Sequence, residues 1–155
     1  MDFASIASQL NAGIILPEGI VVVTLLGVLV GDLIAGRASS RWTPYAAIAG
    51  LLAAIVALVY QWDTTVPLSF LGSFMGDDLS IVFRGIIVLS AIATVPMSIR
   101  YVEQSGTSLA EFLVILMTAT LGGMFLSGAN DLVTIFVALE TLSISSYLLT
   151  GYMKR

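Results

Sequence analysis

Cysteine and histidine are both absent from the 155-residue chain. Without them there can be no disulfide, no thiolate ligand for an iron–sulfur cluster, no histidine for a haem, and none of the usual zinc donors. Charge is also scarce. Asp, Glu, Lys and Arg make up 10% of the residues, where a soluble domain has roughly a quarter. Ten acidic residues outnumber six basic ones, giving a net charge of −4 and a pI near 4.4. With no basic stripe to meet phosphates, nucleic acid is excluded as a partner. The opening MDFASIASQLNAGIILPEG contains no basic residue. It therefore lacks the positive n-region of a secretory signal, and the first apolar run is expected to be a retained span. Walker loops, dinucleotide fingerprints and nucleophile motifs are missing as well.

Apolar length is what the chain has. Hydrophobic residues make up 58% of it and the mean hydropathy is +1.04, so the lipid bilayer is its first expected partner. A helix needs about 20 apolar residues to cross. Five runs qualify, at 17–35, 44–60, 79–100, 108–127 and 131–152. The expected fold is all-α: a polytopic transmembrane helix bundle forming one domain over residues 1–155. Pro17 suits a first helical turn and Glu18 complements its dipole. Thr43 is a candidate N-cap for the second span, with Trp42, Tyr45, Tyr60 and Trp62 marking its two ends as an aromatic belt would. Pro96 lies inside the third span and is expected to kink it or end it early. Ser108 and Glu111 form a capping box at the fourth. Residues 63–78 read as an extended or hairpin-like surface loop. The other links are short, so neighbouring spans should run antiparallel.

Charge placement sets an expected orientation. Arg37, Arg41, Arg100, Lys154 and Arg155 fall on one side; Asp2, Glu18, Asp63, Asp77, Asp78 and Asp131 fall on the other. By the positive-inside rule the N-terminus is outside and residue 155 cytoplasmic.

The stretch NDLVTIFVALETLSISSYLL would be a plain span but for Glu140. Nine residues past Asp131, it lies about 13–14 Å into a hydrocarbon core about 30 Å thick. An acidic residue there costs roughly 2.5–3.5 kcal/mol and usually faces a bundle interior or an aqueous path. Ser143 and Tyr147 fall on the same helical face, giving a polar stripe from the midplane toward the cytoplasmic side. A titratable group followed by hydroxyls is what a proton half-path requires. The plainer reading is a protonated glutamate hydrogen-bonded to an adjacent helix.

The remaining polar residues have simpler readings. Arg84 sits about five residues inside the third span, where its stem can snorkel to the interface, with Asp77 and Ser80 on its face. Asp32 reads as interfacial, and Asp77 and Asp78 as helix-start residues. Gly27, Gly31 and Ala35 in the first span, and Ala46, Gly50, Ala53 and Ala57 in the second, suit close helix packing. Gly122 and Gly123 mark tight packing or a bend.

At FVALETLSISSYLLTGYMKR the chain resembles a known family: subunit 2 of the photosynthetic NAD(P)H dehydrogenase-like complex of cyanobacteria and chloroplasts. Its counterparts are the antiporter-like subunits of respiratory complex I. The resemblance extends over the whole chain, including GDDLSIVFRGIIVLSAIATVPMS. It implies a core of inverted helical repeats, each enclosing a proton half-channel. It also implies that Glu140 matches a glutamate paired with a lysine on a later helix, the pair relaying charge. Family members carry many more spans, so the chain is expected to be part of a longer one, with the partner lysine beyond it.

By the same resemblance the complex passes electrons from reduced ferredoxin to plastoquinone, pumps protons and resides in the thylakoid membrane. Other membrane subunits are its direct partners. Iron–sulfur clusters, ferredoxin and plastoquinone are engaged through other subunits, and this chain binds no cofactor or metal. The lack of cysteine and histidine fits that division. Two other function classes compete: a helical assembly scaffold, in which Glu140 is only a buried hydrogen-bonding group, and a subunit of a cation/proton antiporter.

Overall fold

The computed structural model describes residues 12–35, 42–62 and 72–152. A 3-10 turn over Ala12–Ile15 leads into α1 (Leu16–Ala35), followed by α2 (Thr43–Gln61), α3 (Asp78–Ser105), α4 (Leu109–Gly128) and α5 (Leu132–Gly151). All five are long and apolar enough to cross a membrane. No strand occurs among the described residues, only one antiparallel bridge between Phe74 and Ala129. The all-α, five-span membrane architecture expected from the apolar runs is the one observed. The link at 36–41, with Arg37 and Arg41, lies outside the described residues, as do residues 63–71, Asp2, Lys154 and Arg155.

Three contacts between helix ends fix the directions. Gln61, closing α2, donates its side-chain N–H to the carbonyls of Gly13 at 2.6 Å and Ile14 at 3.2 Å, just before α1. The backbone N–H of Met75, before α3, donates to Gly128 at the end of α4 (2.7 Å), and Asn130 N–H returns a bond to Ser73 (2.9 Å). Tyr152, after α5, reaches the Ser108 carbonyl before α4 at 2.9 Å. Each pair is therefore antiparallel. The starts of α1, α3 and α5 share one end of the bundle with the ends of α2 and α4.

Helix α4 is central. It touches all four other helices, and 50% of its span is buried against 11% for α5. Val21, Leu51, Val88, Val95, Leu113, Met117 and Met124 form the core. Within a bilayer, lipid tails solvate such side chains as well as neighbouring helices do. The gain on association comes instead from dispersion and close backbone approach. Glycines supply that approach at particular crossings. A Cβ on Gly122 would stand 2.8 Å from the Leu142 nitrogen, so α5 lies directly on α4 there. Gly50 meets Thr24, Gly31 meets Trp42, and Gly123 meets Ile87. Gly27 faces open space, so the first span's glycine pair does not act as one packing motif.

Local signals set most helix starts. The Asp77 carboxylate accepts the Ser80 N–H (3.1 Å) and the Asp131 carboxylate accepts the Thr134 N–H (3.2 Å). Ser108 accepts the Glu111 N–H at 3.5 Å, while the Glu111 carboxylate turns to the Tyr152 hydroxyl at 2.8 Å instead of closing the box. Thr43 is the first residue of α2 rather than its cap, and Trp42 occupies the cap position with no side-chain bond.

Pro96 does not end α3, which continues to Ser105. Its ring sits on an exposed face, while Ala91, Val95 and Val102 stay buried on either side. Membrane helices tolerate the one missing N–H that proline imposes. At 28 residues, α3 is about 42 Å long and outruns the hydrocarbon core.

Candidate functional site

Two membrane-embedded charges stand out, and the structure treats them in opposite ways. Glu140 lies at the middle of α5 and is exposed. It makes no hydrogen bond or ion pair with any described residue. Its surroundings on α5 are apolar and equally uncovered, with Phe136 66%, Val137 56% and Leu139 44% exposed. Ser143 is half-buried and Tyr147 exposed. Glu140, Ser143 and Tyr147 share a face through helical spacing, yet no hydrogen bond among the described residues links them. The neighbouring hydroxyls of Thr141, Ser145 and Ser146 donate back to carbonyls of their own helix at 2.7–2.8 Å, a local alternative that occupies their protons. Helix α5 leans on α4, with Ala138 and Ser145 as its buried residues.

Arg84 behaves differently from the snorkelling residue its position suggests. It is fully buried, as is Glu18, and the two form an ion pair with Nη1 3.2 Å from Oε1. Arg84 Nη1 also donates to the Ile14 carbonyl at 3.3 Å, and Nε donates to the Ser80 carbonyl at 3.4 Å. The Phe74 ring covers the guanidinium, its centroid 5.3 Å from Cζ. Phe74 is in turn held by its bridge to Ala129 and by its fit against Gly128. At six residues into α3, Arg84 is about 9 Å from the helix start. A snorkelling path fails because α1 and Phe74 close over it, and Glu18 supplies the counter-charge at the same depth. In the sequence the two residues read separately, Glu18 as a dipole partner and Arg84 as an interfacial residue. The available signal is an arginine within an apolar span and an acidic residue at the same end of another span, since intramembrane charges usually pair with one another.

At the opposite end, the Tyr152 hydroxyl shares its proton between the Ser108 carbonyl and the Glu111 carboxylate. Partial burial and the adjacent Glu111 push this phenol up to about 12. Among the described residues no three acidic, histidine or cysteine side chains come together to hold a metal.

Comparison with known proteins places the chain in a lineage. The family model for the N-terminal part of NAD(P)H-quinone oxidoreductase subunit 2 matches residues 5–100. The chain belongs to that family. NAD(P)H-quinone oxidoreductase subunit 2 of a Nostoc species is 76% identical over 155 residues, covering 100% of this chain and 30% of the relative. The same subunit of Synechococcus elongatus is 73% identical over 155 residues and that of Gloeothece citriformis 69% over 156, each again covering 100% of this chain and 30% of the relative. The chain thus spans about 30% of the length of the curated relatives it matches. Glu18, Ser80 and Arg84 fall within the segment matched by the subunit 2 family model, and Glu140 lies in the part aligned with the full-length relatives.

Proposed function

We propose that this five-helix unit forms part of a proton-translocating subunit of a quinone-reducing NAD(P)H dehydrogenase-like complex, with Glu140 as a charge-relay residue. The exposure of Glu140 carries this reading. A carboxylate at mid-span cannot rest against acyl chains without a cost of roughly 2.5–3.5 kcal/mol. A group of this kind is tolerated where its face meets other protein or a water path. Helix α5 offers such a face, because α4 covers only one side of it. Further helices of the longer relatives would complete the site from the open side. Ser143 and Tyr147 would continue the polar side of the face toward residue 151.

In this reading the electrons move from reduced ferredoxin to plastoquinone on other subunits, which hold the iron–sulfur clusters. The present helices sit in the thylakoid membrane with the start of α1 on the lumenal side. The alternative is a scaffold, in which Glu140 would hydrogen-bond to an adjacent helix; among the described residues it makes no such bond, and the substitution below separates the two readings.

The test is Glu140→Gln in the intact complex. Glutamine keeps shape and hydrogen-bonding capacity but cannot carry the charge. Proton uptake per electron should fall severely while the complex assembles at normal abundance. Normal uptake at normal abundance rejects the relay, and loss of the complex itself points to the scaffold.

A further inference from the structure

The Glu18–Arg84 pair is buried but incompletely satisfied. Glu18 Oε2, Arg84 Nη2 and Ser80 Oγ are all shielded from solvent, and none has a hydrogen-bond partner among the described residues. All three belong to residues in mutual contact: Arg84 Nε donates to the Ser80 carbonyl, and Oε2 and Nη2 are the second atoms of the two groups that meet in the ion pair. Their hydrogen-bonding abilities differ. Oε2 only accepts when ionised, Nη2 only donates, and a serine hydroxyl does both. A cation would be repelled by the guanidinium and an anion by the carboxylate. The species that satisfies all three is small, neutral, and both donor and acceptor. That is water, the usual occupant of buried polar sites with two to four partners.

We infer that Glu18, Arg84 and Ser80 hold ordered water at the α1-start end of the bundle, and that through it Glu18 exchanges a proton independently of Glu140. In the exchange, a bound water donates a proton to Oε2; one O–H bond breaks on the water and one forms on the carboxyl. The water regains its proton from the next water toward the near surface, and the deficit passes to bulk solvent, which supplies the proton; release runs the same steps in reverse. Arg84 stays charged throughout, because the carbonyls of Ile14 and Ser80 and the face of Phe74 continue to hold it.

The electrostatic surroundings are simple. Helix α2 contains no Asp, Glu, Lys or Arg, and the one charged residue of α4, Glu111, is engaged with Tyr152 at the far end. On α3, Asp77 caps the helix start beside Asp78 and Ser80. Arg84 is thus the one charge in contact with Glu18 among the described residues. The inference goes beyond the relay reading and does not depend on it.

Two measurements on the intact complex test it. A high-resolution cryo-EM map should show water density within hydrogen-bonding distance of at least two of the three atoms. Infrared difference spectra recorded across a pH series should contain a carboxyl band that is lost in Glu18→Gln and shifted in Ser80→Ala, which leaves the ion pair in place. If Glu18→Gln fails to assemble, Glu18→Asp serves instead and should move the band. A dry site, with Ser80 Oγ and Arg84 Nη2 turned onto protein acceptors, would overturn the inference. So would the lack of any Glu18-dependent carboxyl band over the pH range in which the complex stays intact.

Discussion

Replacing Glu18 and Arg84 by methionine, singly and together, probes what the buried pair contributes. Each side chain is fully shielded from solvent and they meet at 3.2 Å. Removing one partner from such a pair strands the other charge, at about 3–5 kcal/mol. Glu18→Met leaves the guanidinium with two carbonyls and a ring face but no anion. Arg84→Met leaves the carboxylate without its counter-charge, held only by a backbone N–H. The double variant strands nothing and fills the site with side chains of similar size, so it should cost less than either single change. Additive behaviour would instead give a loss of about 6–10 kcal/mol. Unfolding of the purified subunit by SDS in mixed micelles, followed by fluorescence of Trp42 and Trp62, supplies the four stabilities. Trp42 is a suitable reporter because it packs against Gly31 across the α1–α2 contact. A double variant as unstable as the sum of the singles would refute the coupling.

Three further substitutions follow from the same structure. Gly122→Val places a Cβ 2.8 Å from the Leu142 nitrogen and should cost at least the roughly 1–3 kcal/mol of an overpacked contact; disulfide trapping between cysteines introduced on α4 and α5 should weaken accordingly. Phe74→Leu removes the ring over Arg84 and should lose about 0.5–2 kcal/mol, read by the same unfolding assay. Tyr152→Phe should abolish the phenol step near pH 12 in an absorbance titration. Because the folded-state value lies above the ordinary tyrosine value, the neutral phenol favours the fold at lower pH. That contribution is present below about pH 10 and lost as pH rises to about 12.

The spans were legible because the bilayer imposes a length that apolar runs must meet. Asp131, Ser108 and the glycines at 122 and 123 acted where local chemistry placed them, for capping and close approach are short-range effects. Pro96 does not end its helix early, as one branch of the expectation had it, because a membrane helix tolerates the missing N–H where buried residues continue on both sides of it. Arg84 did mislead. Its partner is 66 residues away, and helical periodicity carries no information about which helix covers which. Gly27 shows the same limit, since a small residue permits a close approach without requiring one. Glu140 lies between these cases. Its depth was legible, but among the described residues no side chain bonds to it, so these five helices do not show what faces it.

The most direct measurement is therefore the environment of Glu140 in a structure of the intact complex. The account predicts a basic side chain from a further helix, or an ordered water chain, within hydrogen-bonding distance of its carboxyl group. Acyl chains packed against Glu140 along the whole face of α5 would contradict it.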